Sequence, residues 1–342
     1  MSLKYKDKLL ELKRLLKRFI DKDYFKTYHP EDFFYFMDPK SKGILFFCDK
    51  IFNDSFGMQI FFNKDGFNFL HDALTTTDAF SINHFFSTAY LICITQKNSL
   101  TEEDIKFLHL HKINVCKQNY IPYGFKEGYG LDYLKLKELD MVLRYLYYLE
   151  SLLLNEKNDV DEAFQNEQMP ISFFDPEKLV YEVHYGGLMH LETFPPKKNI
   201  NFDFVKDNQH ISINEDTYYF FHTYFKAVEP EKEEPYDSIL MIYSLTKKTY
   251  EYQVIKCKPK EVVEYVYAFL DDYFKSHGIP SYLVCNHRKI YSWVYKTLRE
   301  LNINLSFKRE VDIVDEKLCE LMGSLLEQIY DKELYETKKY IS

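Results

Sequence analysis

Glycine is scarce in this chain, with 10 in 342 residues, and tryptophan occurs once. Neither G-x-G-x-x-G nor G-x-x-x-x-G-K-[ST] is present, and there is no G-x-S-x-G elbow and no H-E-x-x-H pair. These absences remove the motif grounds for reading a nucleotide-phosphate loop, an α/β-hydrolase nucleophile or a zinc protease, because each depends on glycine backbone freedom or on ligands one helical turn apart. The six cysteines, Cys48, Cys93, Cys116, Cys257, Cys285 and Cys319, contain no C-x-x-C pair. They read as small buried hydrophobes in a reducing compartment. Positive charge is also in deficit: 44 Lys and Arg face 53 Asp and Glu, for a formal net charge of −9. Affinity for phosphate backbones comes from clustered cations, so nucleic acid is not the expected partner. No apolar run reaches transmembrane length, and the N-terminal residues are charged where a signal peptide needs an apolar core. The expectation is a cytosolic protein without membrane attachment.

Aromatic rings are abundant, with 30 Phe and 30 Tyr. Most such rings fill cores; the sharper alternative is a stacking surface for bases or sugars. With a hydrophobic share of 46% the chain is globular, and its length accommodates two domains.

The alternation of apolar and helical patterning divides the chain. Lys4 to Ile20 is an amphipathic helix with Leu9, Leu12, Leu16 and Phe19 on one side. Strands are expected at 33–37, 44–48, 58–62 and 90–94, with a short helix from Phe67. Thr101-Glu-Glu-Asp104 has the form of a capping box opening a helix to about His111, followed by a strand at 113–116. Gln118 to Gly130 carries Pro122, Gly124, Gly128 and Gly130 and reads as a turn-rich loop. Leu134 to Leu154 is a long helix closing the first domain. The drop in apolar content over 155–162 sets the expected domains at 1–160 and 161–342.

In the second half, an irregular β segment spans 171–191 and a strand spans 217–228. The acidic run 229–235 reads as a solvated loop. Ser238-Ile-Leu-Met-Ile-Tyr243 and Thr249 to Lys256 form a hairpin, Lys260 to His277 a helix, Tyr282-Leu-Val-Cys285 a strand, Ile290 to Leu301 a helix, and Ile303 to Phe307 a strand. A docking helix from Asp312 to Tyr335 carries Glu316, Glu320 and Glu327. The class is α/β with a mixed sheet, since parallel neighbours need helical crossovers while a hairpin pairs antiparallel.

The order β-β-β-α-β-α-β-α over 217–335 resembles the RNase H-like fold of transposase and integrase cores. The resemblance implies an Asp on the first strand, a second Asp at the end of the fourth, and an acid from the last helix, together holding two divalent metals. Here 218–228 contains no acid, and the fourth strand is followed by Asn286, His287 and Arg288. The resemblance therefore implies a scaffold whose metal site has been erased, with no cofactor, and argues against nuclease activity. The segment Cys93-Ile-Thr-Gln-Lys-Asn-Ser-Leu-Thr-Glu-Glu-Asp104, the long helix after it and the 239–326 region together resemble a bacterial family built from two domains of unknown function, which carries no activity to transfer.

Three functional readings follow. The first is a non-catalytic binding or interaction protein, with another protein as partner. The second is a metal-dependent nuclease or strand-transfer enzyme that recruits acids such as Glu316 or Glu320. The third uses Asn286, His287 and Arg288, where a strand gives way to a helix, to bind a small anionic ligand. The plain reading of that corner is that Asn286 caps the helix. His109 and His111, two residues apart on a helix, point in different directions and make a poor metal pair.

Overall fold

In the computed structural model, the structure describes residues 3–37, 41–51, 55–63, 66–67, 70, 89–126, 128–129, 131–175, 180–187, 199–225, 235 and 237–307. The expected helix at 312–335 with its three glutamates, residues 229–234 of the acidic run, and Cys319 lie outside them. The described elements form an α/β protein with two mixed sheets, one of eight strands and one of five. None of the described helices is long and apolar enough to cross a membrane.

The first unit opens with α1 (Leu3–Asp21) and the short α2 (Tyr24–Thr27), followed by strands β1 (Phe34–Met37), β2 (Lys42–Cys48), β3 (Phe56–Phe62) and β4 (Ala89–Gln96). Helix α3 (Glu102–Leu110) leads to β5 (Gln118–Phe125) and β6 (Asp132–Tyr133). Then come α4 (Leu136–Asn155), α5 (Lys157–Gln165) and the hairpin β7 (Met169–Asp175) with β8 (Val180–Gly186). The sheet order is β6-β5-β4-β3-β2-β1-β7-β8, antiparallel throughout except for the parallel pair β1 and β7. One face is covered by α1 and α4. Leu12, Leu15, Leu16 and Phe19 of α1, with Leu139, Val142, Leu146 and Leu149 of α4, meet Phe34, Leu45, Met58 and Ile92 of the strands in one buried cluster. The leucine spacing seen in sequence thus becomes a single apolar stripe on each helix.

Two expectations change here. Gln118 to Phe125 is strand β5 rather than a loop, and 113–116 is not a strand. Pro122 is tolerated inside β5 because its carbonyl faces β6, where it accepts from the Leu134 N–H; its missing N–H lies on that same side, away from the β4 ladder. The domain boundary also moves. Residues 157–165 form α5, whose Val160 and Ala163 are buried, and β7 pairs with β1, so the first unit runs through β8 rather than ending at 160. Polar residues dominate 155–162, yet a helix needs only a few apolar side chains on one face to dock.

The second unit contains α6 (Phe202–Asn208), β9 (Ile213–Phe225), β10 (Asp237–Ser244), β11 (Tyr250–Ile255), α7 (Val262–His277), β12 (Ile279–Cys285), α8 (Arg288–Glu300) and β13 (Asn304–Phe307). Its sheet order is β11-β10-β9-β12-β13. The first three strands pair antiparallel, β12 runs parallel to β9, and β13 runs parallel to β12. Tyr218 and Phe220 of β9, Leu240 and Ile242 of β10, and Leu283 and Cys285 of β12 alternate onto one face. There they pack against Phe204 of α6, Val266, Leu270 and Phe274 of α7, and Ile290, Val294 and Leu298 of α8.

Candidate functional site

The corner at 286–288 is built by the end of β12 and the start of α8. The parallel register sets Cys285 opposite Phe220, and the Asn286 N–H donates to the Phe220 carbonyl at 3.3 Å. One step further along, the Asn286 side chain takes over from the backbone ladder. Its Oδ1 accepts the His222 N–H at 3.0 Å and its Nδ2 donates to the His222 carbonyl at 3.4 Å. An amide carries one acceptor and one donor group, so it satisfies both backbone groups of a single residue. Asn286 therefore clasps β9 rather than capping α8. The N-cap position belongs to His287, which makes no side-chain cap and whose carbonyl accepts from the Tyr291 N–H at 2.9 Å.

His222 shares the face of Tyr218 and Phe220 and is fully buried. Its Nδ1 lies 3.2 Å from Nδ1 of His287, and its ring meets that of Tyr224 edge to face at 4.7 Å. Burial pushes the His222 imidazole down to about 3, and the Lys289 charge adds to the effect. The ring is accordingly neutral at physiological pH, and in the contact between the two Nδ1 atoms one imidazole donates while the other accepts. Arg288 lies with its guanidinium 4.4 Å from the Phe307 ring centre, and Lys289 sits 5.2 Å from that of Trp293. The three residues singled out by sequence are adjacent, but they engage three different groups: the backbone of His222, its ring, and Phe307.

His222 was not visible as a site residue in sequence. Its only signal is parity, two residues beyond Phe220 in an apolar alternation, which places a histidine on the core face.

Acids are present on β9, contrary to the expected strand limits, because β9 begins at Ile213 and so includes Glu215 and Asp216. Asp216 lies six residues before His222, roughly 20 Å along the strand. Burial raises its carboxyl, but hydrogen bonds from Ser244, Thr246 and Thr217 outweigh that and hold it below the usual range. The Ser244 hydroxyl donates to Asp216 Oδ2 at 2.5 Å and the Thr246 N–H to Oδ1 at 3.3 Å. Asp216 thus anchors the turn between β10 and β11. Among the described residues no group of three or more His, Cys, Asp or Glu side chains is arranged to hold a metal ion.

The remaining candidates are structural. His111 stacks on Tyr5 at 4.2 Å, and burial lowers its imidazole. His109 lies within α3. Thr101 and Asp104 form the expected capping box: the Asp104 N–H donates to the Thr101 hydroxyl at 3.1 Å and the Thr101 N–H to Asp104 Oδ2 at 3.0 Å. Asp104 also accepts from the phenols of Tyr123 and Tyr133 at 2.5 and 2.9 Å, so the buried carboxylate is fully engaged. Cys48, Cys257 and Cys285 are buried thiols, and burial pushes them up to about 12, 11 and 12. No protein-family model matches the chain, and a search of curated proteins finds no match.

Proposed function

We propose that the second unit is an RNase H-like scaffold without its metal-binding acids, and that the protein works by binding rather than by cleaving. What supports the scaffold is the strand order β11-β10-β9-β12-β13, with an antiparallel trio followed through α7 by β12 and through α8 by β13, both parallel to β9. The observation that carries the loss of chemistry is the clasp between β9 and β12. In that fold the first strand and the end of the fourth present the two aspartates side by side. Here the Asn286 carboxamide at the end of β12 is engaged with the backbone of His222 on β9. A buried neutral imidazole and a carboxamide supply no anionic oxygen for magnesium, which prefers hard oxygen ligands.

The test is thermal unfolding of the full chain with and without millimolar MgCl2 or MnCl2, beside cleavage assays on single-stranded and duplex DNA and RNA. A ligand that binds only the folded state raises its melting temperature. The expected result is an unchanged melting temperature and intact substrates. Manganese-dependent cleavage abolished by Glu320→Gln would overturn the proposal in favour of an enzyme with relocated acids.

A further inference from the structure

Strand β11, at one edge of the five-stranded sheet, has an unusual surface. Tyr250, Tyr252 and Val254 of β11 are 37, 45 and 39% exposed and, being two residues apart, share one face of the strand. The two tyrosine rings are near parallel, 24° apart with centroids 6.3 Å apart. Tyr243, paired directly with Tyr250, lies on the same face, and the Lys248 ammonium sits 5.8 Å from its ring centre. The stretch from Ser244 to Lys260 contains five lysines, at 247, 248, 256, 258 and 260, against one glutamate, Glu251. All five are exposed. Glu251 alternates to the opposite face, where it pairs with His277 at 3.2 Å. In a chain of net charge −9, exposed lysines thus flank this strand on both sides in sequence, while the one carboxylate within it faces away from the tyrosine pair.

We infer that β11 is a binding strip for single-stranded nucleic acid. Bases of any sequence stack on exposed aromatic faces, while lysines beside the platform neutralise the phosphates that link them. The inference rests on the reading that the protein binds without cleaving, and it names the partner. An acidic peptide would meet the lysines equally well but would have no use for two exposed, near-parallel rings. Lysines that merely guard an exposed strand edge against aggregation would likewise need no aromatic platform.

The experiment is fluorescence anisotropy of a labelled oligothymidylate of about 12 nucleotides with the full chain, at about 50 and about 200 mM salt. The wild type should bind it, with affinity falling steeply as salt rises. The double variant Tyr250→Leu, Tyr252→Leu retains the apolar surface of the strand and should bind on the order of tenfold more weakly or worse, with an unchanged melting temperature. Lys248→Glu with Lys256→Glu should weaken binding and flatten the salt dependence. Absence of binding at low salt would overturn the inference. So would equal affinity in the tyrosine variant, or displacement of the oligonucleotide by poly-glutamate as readily as by unlabelled oligothymidylate. Gel analysis of the same oligonucleotide with manganese separates the two proposals: cleavage defeats the non-catalytic reading, whereas the variant affinities test the strip.

Discussion

The corner between β12 and α8 turns on two side chains with opposite relations to water. Asn286 replaces backbone partners that the ladder no longer supplies, and Asn286→Ala would leave the N–H and carbonyl of a buried residue without them. The expected loss is roughly 1–3 kcal/mol in urea unfolding. His222 acts through its protonation. In the folded chain it takes up a proton only near pH 3, whereas in the unfolded chain it does so near ~6.5. Between those values the unfolded state binds the extra proton, so this contribution is fully present above about pH 6.5 and is lost as pH falls toward 3. The wild type should therefore lose stability on acidification more steeply than His222→Leu. The difference in slope should approach ~1.4 kcal/mol per pH unit in unfolding curves at about pH 7.5, 6 and 5. Equal slopes would mean that His222 is not held neutral by its surroundings.

Among the elements, backbone spacing sets limits that side-chain pattern does not reveal. In β3, a Cβ built on Gly57 would stand 1.9 Å from the Ile92 carbonyl oxygen of β4, so the two strands approach there as only glycine permits. Gly57→Ala should destabilise by roughly 2 kcal/mol or more, and hydrogen exchange of the β3 and β4 amides should rise first. Helix α7 ends at Gly278, whose φ of +87° is closed to most side chains, and the chain passes directly into β12. The sequence marked that stop correctly through Gly278 and Pro280, yet the strand begins at Ile279, so Pro280 lies within it. The hairpin of β10 and β11, the long helix α4 and the capping box of α3 were legible because each is specified by local periodicity or by a cap three residues away. Strand β5 was not, because Pro122 and Gly124 carry turn chemistry, and only pairing with β4 decides which side of the strand needs an N–H.

At the scale of the molecule, two clusters of buried apolar side chains stand out among the described residues, one under α1 and α4 and one under α6, α7 and α8. A cluster that buries its own apolar surface is a cooperative unit in its own right. Calorimetry of the full chain should therefore give a total enthalpy larger than the van't Hoff value of its main transition. A single two-state transition with equal enthalpies would show the two cores to be one cooperative unit.

The sequence by itself determined the α/β class, the order and approximate extent of most elements, and the absence of phosphate-loop, hydrolase and zinc-protease motifs, because these depend on residues close together in the chain. Tertiary structure alone decided the rest. It carried the first unit on to β8, because β7 pairs with β1 across more than a hundred residues. It joined His222 to Asn286 and His287, 64 and 65 residues away, and it left Tyr250 and Tyr252 exposed on one face of an edge strand. The physical reason is the same in each case: strand pairing and burial are set by partners distant in sequence, and no local pattern encodes who those partners are.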